Sequence, residues 1–367
     1  MTHNQAGKAV SVRGSINADD LGFTLMHEHL FIDLRQYHQP HSSDATTQSN
    51  SPPIFDSADF PSTELEIWES PVDLGNLHLP QQLGPVSDQW VLADESAAVK
   101  EALEFKNLGG TTIVDVTNIG LKRDPEGLKR VSEATEINII MGTSWYQKVF
   151  HPIDMDKRTV EGMTQELVRD VTIGVGETGI RSGIIGEVGV NGDPITPNEE
   201  KSIRASARAS VITGSSITFH LNPRGGLGVE KHDILNMVEE EGADLTRVAL
   251  GHCNSIANDF LFMQELLDRG VYVEFELVGQ SESLNSSVVK VCAEAVPTLI
   301  EAGYGSKILL SQDVCAKTHL KRYGGPGYTY MQESFIPHLK TLGVTNLDIE
   351  HIFIENPSQL LAFAASG

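Results

Sequence analysis

At 367 residues and 40% hydrophobic content, the chain is long enough for one large domain or two ordinary ones, with ample apolar surface for a core. Its 50 acidic side chains against 27 basic ones give a formal charge of −23, which disfavours nucleic acid or an anionic membrane as partner. Three scattered cysteines (Cys253, Cys292, Cys315) cannot make a disulfide framework or a Cys-based zinc site, and no run approaches the roughly 18 apolar residues of a membrane helix. The expectation is a cytoplasmic protein acting on a small molecule.

Short apolar runs bounded by turn residues recur eight times along the chain: TLMHEHLFI (24–32), TTIVDVTN (111–118), INIIMGTSW (137–145), GIIGEVGV (183–190), SITFHLN (216–222), RVALGHCN (247–254), VYVEFELVG (271–279) and KILLSQDV (307–314). Helical patterns such as DESAAVKEALEFKNLGG and NEEKSIRASARASVITG lie between them, most ending at glycine. Buried-type strands alternating with helices indicate a parallel sheet covered on its faces, and eight such units predict an α/β fold, a single (β/α)8 TIM barrel over 1–367. Neither a G-x-G-x-x-G after the first strand nor a G-x-x-x-x-G-K-[ST] is present, which counts against nucleotide binding. A polar stretch rich in Pro, Ser, Asp and Gln (33–93) separates the first strand from its helix; it is either a surface insertion or a lid on the active-site face. The tail DIEHIFIENPSQLLAF predicts a closing helix with Asn356 as N-cap before Pro357.

The strands carry residues that buried strands seldom do. His27 and His29 alternate on the first strand and point to one side. Glu187 lies in the fourth, His220 ends the fifth, His252 ends the sixth and Asp313 ends the eighth; the last three fall where barrel enzymes place their chemistry. Four imidazoles and two carboxylates in one barrel mouth need positive charge between them, and six donors are too many for one tetrahedral ion but suit two divalent ions. Such a site is that of a Lewis-acid hydrolase.

This pattern, with TLMHEHL, SGIIGEVG, LLSQDVCAKTHLKRYGGPGY and IFIENPSQLL, resembles the phosphotriesterase-related proteins of the amidohydrolase superfamily, in the glutamate-bridged branch that includes the mammalian-type proteins. The resemblance covers essentially the whole chain. It implies that His27, His29 and Asp313 hold the more buried metal, that His220 and His252 hold the more exposed one, and that Glu187 bridges them together with a hydroxide. Asp313 would also be the catalytic proton carrier. Zinc is the first expectation for the two ions, with manganese, cobalt or iron compatible with the same donors. The resemblance further implies a homodimer.

Hydrolysis of a carboxylic ester or lactone is the leading expectation, with an N-acyl amide of an amino or sulfonic acid as the rival on the same site; a non-catalytic binding protein is a lesser alternative. Organophosphate hydrolysis is disfavoured, because the phosphotriesterases' outward proton relay is replaced by Leu277 and by Asn254 with Ser255. Tyr146, after the third strand, and Arg224, in HLNPRGG, are candidate substrate contacts, the latter for an anionic group. Glu274 and Glu276 share a face of the seventh strand and are candidates for orienting ligands. YGGPGY is expected to serve a backbone role. Many relatives bridge their metals with a carboxylated lysine, whose arm is longer than that of Glu187. A β-bulge bringing Glu187 forward, and reconstitution by metal without bicarbonate, are therefore expected.

Overall fold

In the computed structural model, the residues described are 5–38, 69–78, 86–192, 194–222, 229–279 and 286–365. Most of the 33–93 insertion and all of Arg224 lie outside them. An N-terminal hairpin of β1 (Lys8–Ser11) and β2 (Gly14–Asn17) precedes the barrel. All eight expected strands form: β3 (Thr24–Glu28), β6 (Thr112–Asp115), β7 (Asn138–Thr143), β8 (Ile184–Val190), β9 (Ile217–Leu221), β10 (Val248–Leu250), β11 (Tyr272–Phe275) and β12 (Ile308–Leu310). They make one parallel sheet in chain order, β3 to β12, and helices follow the strands: α1 (Glu95–Asn107), α2 (Pro125–Thr135), α3 (Val160–Thr172), α4 (Pro197–Thr213), α5 (Val229–Glu240), α6 (Phe260–Asp268) and α7 (Ser287–Glu301). This is the expected (β/α)8 arrangement.

The barrel strands are buried almost throughout and largely apolar because both faces are covered. Alternate residues enter two different clusters. Ile113, Ile139, Ile217 and Val273 pack with helix residues such as Phe105 and Leu128, whereas Val114, Ile140, Ala249, Tyr272 and Leu309 pack with one another inside the barrel. The period-2 pattern thus fills the lower barrel with carbon and leaves its C-terminal mouth for polar side chains. Closure between the last strand and the first is made by side chain and backbone together: His27 N–H donates to Ser311 Oγ at 3.0 Å, and Asp313 N–H to His27 O at 3.1 Å.

The ends of the insertion are zipped by a two-residue antiparallel ladder of β4 (Ile32–Asp33) and β5 (Val91–Leu92). Its described neck touches the loop after β12, where Thr318 N–H donates to Gln89 Oε1 at 3.2 Å and Lys317 Nζ meets Asp88 Oδ1 at 2.5 Å. Helix ends follow local chemistry: Asp94 caps α1, and a Thr196–Glu199 capping box opens α4.

The tail departs from expectation. Residues 346–361 form one continuous helical run with a wide turn at 351–355, so Asn356 is an interior residue and not an N-cap. Its amide donates to Gly305 O and Ile308 O, at 2.9 and 2.8 Å, which ties the run to the start of β12. Among the described residues, no helix is long and apolar enough to cross a membrane.

Candidate metal centre

The six residues singled out in the sequence meet at the C-terminal mouth of the barrel, all buried. Glu187 is central. Its Oε2 lies 3.2 Å from His27 Nε2 and 2.8 Å from His220 Nδ1, and its Oε1 lies 3.6 Å from His29 Nε2. His29 Nε2 is 3.3 Å from Asp313 Oδ1, and His252 Nε2 is 2.7 Å from His220 Nδ1. The donors fall into two overlapping groups, one of His27, His29 and Asp313 and one of His27, Glu187, His220 and His252.

The expected irregularity at Glu187 is present. Thr143 of β7 pairs with both Ile185 and Gly186, and the register against β9 slips between Ile185 and Val188. Gly186 has φ of +147°, and a Cβ there would lie 2.4 Å from Thr218 Cγ2, so only glycine fits before the glutamate. The Gly186–Glu187 peptide is cis. The Glu187 backbone is held by its N–H on Val116 O at 3.2 Å and by the Asn118 amide on its carbonyl.

The charges show what the cluster lacks. Burial alone would lower the pKa of His27, but the surrounding Glu187, Glu274 and Glu276 carboxylates outweigh it and push it well up. Burial likewise opposes His29, which Asp313 and Glu187 raise. Burial would raise Glu187, yet His220 and His27 hold it well below the usual carboxylate range. His252 is pushed down by burial and by the neighbouring His220 and His27 rings. The carboxylates around His27 and His29 thus favour positive charge in the middle of the cluster. His27 Nε2 approaches Glu187 without hydrogen-bond geometry, and its ring has no hydrogen-bond partner at either nitrogen. A buried set of nitrogen and carboxylate donors with orphaned imidazole atoms fits divalent metal ions.

Two of the six residues have left-handed backbone that is not glycine: His252 (φ 55°) and Asp313 (φ 52°). Such conformations cost about 1–3 kcal/mol and persist only where the surroundings enforce them. At Asp313 the enforcing group is Glu28, the residue between the two histidines of β3. Its Oε1 accepts from Ser311 Oγ and Gln312 N–H and its Oε2 from Val314 N–H, each at 2.8 Å. Burial pushes the Glu28 carboxyl up to about 7 against the pull of these three donors. At His252 the enforcing group is Glu276, whose Oε1 accepts its backbone N–H.

Other supports were not singled out in the sequence. Thr117 Oγ1 lies 2.8 Å from His29 Nδ1, Asp115 Oδ2 accepts Leu30 N–H at 2.7 Å, and Tyr328 donates to His29 O at 2.7 Å. The signal available for Asp115 and Glu28 was a carboxylate inside an apolar strand, the same signal that exposed Glu187. Tyr146 is buried, with its hydroxyl 3.1 Å from His220 Nε2. Asn254 is no proton relay; its Oδ1 accepts Glu276 N–H at 3.2 Å, and its amide meets Cys292 Sγ. In YGGPGY the backbone role holds: a Cβ on Gly325 would lie 2.1 Å from Thr318 O. All three cysteines are free and buried.

Comparison with known proteins agrees with this geometry. An N-acetyltaurine hydrolase from Dictyostelium discoideum is 33% identical over 97% of this chain and 98% of its own. The solved structure of a resiniferatoxin-binding protein from Rhodobacter sphaeroides superposes with a TM-score of 0.86 at 32% identity, covering 100% of this chain and 98% of that one. A lactonase from Listeria monocytogenes shares the fold, with a TM-score of 0.76 at 21% identity over 98% of this chain and 100% of its own. The model of the phosphotriesterase family matches residues 7–361, and with the barrel and its polar mouth in place, the chain belongs to that family of hydrolases.

Proposed function

We propose that the protein is a two-metal hydrolase that cleaves the amide bond of a small N-acylated amino or sulfonic acid. The observation that carries this reading is the convergence of His27, His29, Glu187, His220, His252 and Asp313 in a chain similar over its whole length to a protein named for N-acetyltaurine hydrolysis. This reverses the order of the two substrate classes expected from sequence, where ester or lactone came first.

His27, His29 and Asp313 would hold one ion, His220 and His252 the other, and Glu187 would bridge them. Zinc is the first choice, with manganese, cobalt or iron admitted by the same donors. Two such ions would supply Lewis acidity to a substrate carbonyl and make bound water acidic. Asp313 is the proton carrier: its carboxylate takes a proton from water during attack and delivers it to the leaving nitrogen. An amine leaves poorly without that proton, so amide cleavage depends on Asp313 more than lactone opening does.

A lactone or ester is the second reading, supported by Tyr146, whose hydroxyl lies beside His220 where it would meet a substrate carbonyl. The test is turnover by zinc- or manganese-loaded protein of N-acetyltaurine and other N-acyl amino acids against a panel of lactones and phosphotriesters. The reading expects kcat/KM highest for the N-acyl acids. Turnover of lactones with none of the amides would establish the second reading, and turnover of phosphotriesters alone would overturn both.

A further inference from the structure

Below the metal centre lies a carboxylate that touches both halves of it. Glu276, just past the end of β11, is fully buried, as is Glu274 two residues earlier on the same face. Glu276 Oε1 accepts the backbone N–H of His252, lies 3.3 Å from His252 Nδ1 and lies 3.5 Å from His27 Nδ1. The two rings have their other nitrogens turned into the cluster: His27 Nε2 toward Glu187 Oε2, and His252 Nε2 toward His220 Nδ1. Neither Nδ1 has any hydrogen-bonded partner in this geometry. Glu276 is itself anchored, because Asn254 Oδ1 accepts its backbone N–H.

From this juxtaposition we infer that Glu276 is a positioning residue that sets the tautomer and orientation of one histidine in each metal site, and so couples the two sites. The inference rests on the two-metal reading above. A carboxylate oxygen 3.3 and 3.5 Å from two imidazole nitrogens repels a lone pair there and attracts an N–H, so it favours the tautomer with the proton at Nδ1 in both rings. That places the lone pair of both rings on Nε2, the atom aimed at the ions. The same oxygen holds the left-handed backbone of His252, so one group fixes both the ring and the main chain of that ligand. Glu274 differs: its Oε2 is 3.8 Å from His27 Nδ1, and the ion-pair contacts of the described residues bring it to no other imidazole. The separation in roles makes the inference testable.

The experiment is a metal titration of the full-length protein, stripped of metal by chelator and titrated with cobalt(II), with bound metal counted and the cobalt visible spectrum recorded. E276Q should weaken both binding steps, by about 10–100-fold each, and should perturb the cobalt spectrum at both. E274Q should weaken no more than one. E276D, which withdraws the oxygen by one methylene, should fall between wild type and E276Q, and it carries the test alone if E276Q does not fold. Melting of the metal-free proteins is followed in parallel, since a merely structural glutamate would lower that melting temperature and leave both dissociation constants unchanged. Wild-type affinity in E276Q or E276D, or weakening of a single step, overturns the inference. No substrate is needed, so the outcome is independent of which bond the enzyme cleaves; failure of the wild type to bind two ions would instead overturn the metal-centre reading itself.

Discussion

The carboxylate of Glu28 accepts the N–H of Val314 at 2.8 Å, across the seam where the last barrel strand meets the first. With Gln312 N–H on the other oxygen, the carboxylate brackets Asp313 from both sides. The H-x-H motif therefore contributes three residues to the site, two turned into the donor cluster and the middle one to the loop that presents Asp313. In E28Q an amide would face donors where a carboxylate accepted them, and each orphaned donor costs about 1–3 kcal/mol. Urea unfolding should show this loss, and kcat should fall with it because Asp313 is released from its left-handed backbone. Unchanged stability and turnover would refute the bracket.

Asp313 itself is open to a cleaner substitution. Asn keeps the shape and one metal-facing oxygen but cannot take or deliver a proton. D313N should lower kcat by about 10²–10⁴-fold, with metal content close to wild type and KM little changed. The loss should be larger for an amide than for an activated ester whose leaving group needs no proton. Metal analysis beside steady-state kinetics checks both parts; full activity would remove Asp313 from the proton path.

Away from the site, Asp94 provides a pH dependence with a defined sign. Its carboxylate is pulled from the usual 3.8 to about 2, chiefly by the Ser96 hydroxyl, with Ala97 N–H and Arg322 assisting against slight burial. A depressed carboxyl stabilises the fold fully above its unfolded value, and that contribution fades as pH falls from about 4 toward 2. D94A should cost about 1 kcal/mol at neutral pH as a lost N-cap. D94N, which keeps the cap and loses only a half-exposed charge, should cost less. The difference between wild type and D94A should shrink on acidification, as followed by denaturant unfolding from pH 5 to pH 2.

The fold was legible because each barrel strand is buried on both faces, which leaves a continuous apolar run, and because helix caps and glycines mark the intervals. Glu187, His220, His252 and Asp313 were legible for a related reason: a charged or polar residue in such a run stands out against its neighbours. Glu28 was hidden by its own neighbours, since within H-E-H it reads as the spacer of a ligand motif. Asn356 misled because Asn before Pro is a good helix start, while here its amide is held by Gly305 and Ile308 carbonyls inside a longer helical run. Tyr146 could not be placed from sequence, because its burial against His220 depends on a loop packing that no local pattern encodes.

The bulge before Glu187 depends on Gly186, and the geometry there is strict. A methyl group would meet both Thr218 Cγ2 and Thr218 O within 2.5 Å, and the residue's positive φ disfavours any side chain. G186A should push the strand off its partner and carry Glu187 away from at least one imidazole. Overpacking of this kind costs typically about 1–3 kcal/mol. The expected signature is a protein that folds with a lowered melting temperature and binds less than its full complement of metal. Normal metal content in G186A would show that the bulge does not position the bridge.

On the proposed two-metal reading, a bridging glutamate also changes how the centre is assembled. A carboxylated lysine must acquire its carboxylate from carbon dioxide before it can span two ions, whereas Glu187 already places one oxygen 3.6 Å from His29 and the other within 3.2 Å of both His27 and His220. Stripping metal with a chelator should abolish activity and lower the melting temperature, since the cluster then keeps its carboxylates without their cation. At a hundredfold excess over Kd, each ion returned should stabilise the fold by about 2.7 kcal/mol. Recovery in carbon dioxide-free buffer should match recovery with added bicarbonate, in rate, extent and metal content. A bicarbonate requirement would mean that a lysine, and not Glu187, completes the bridge.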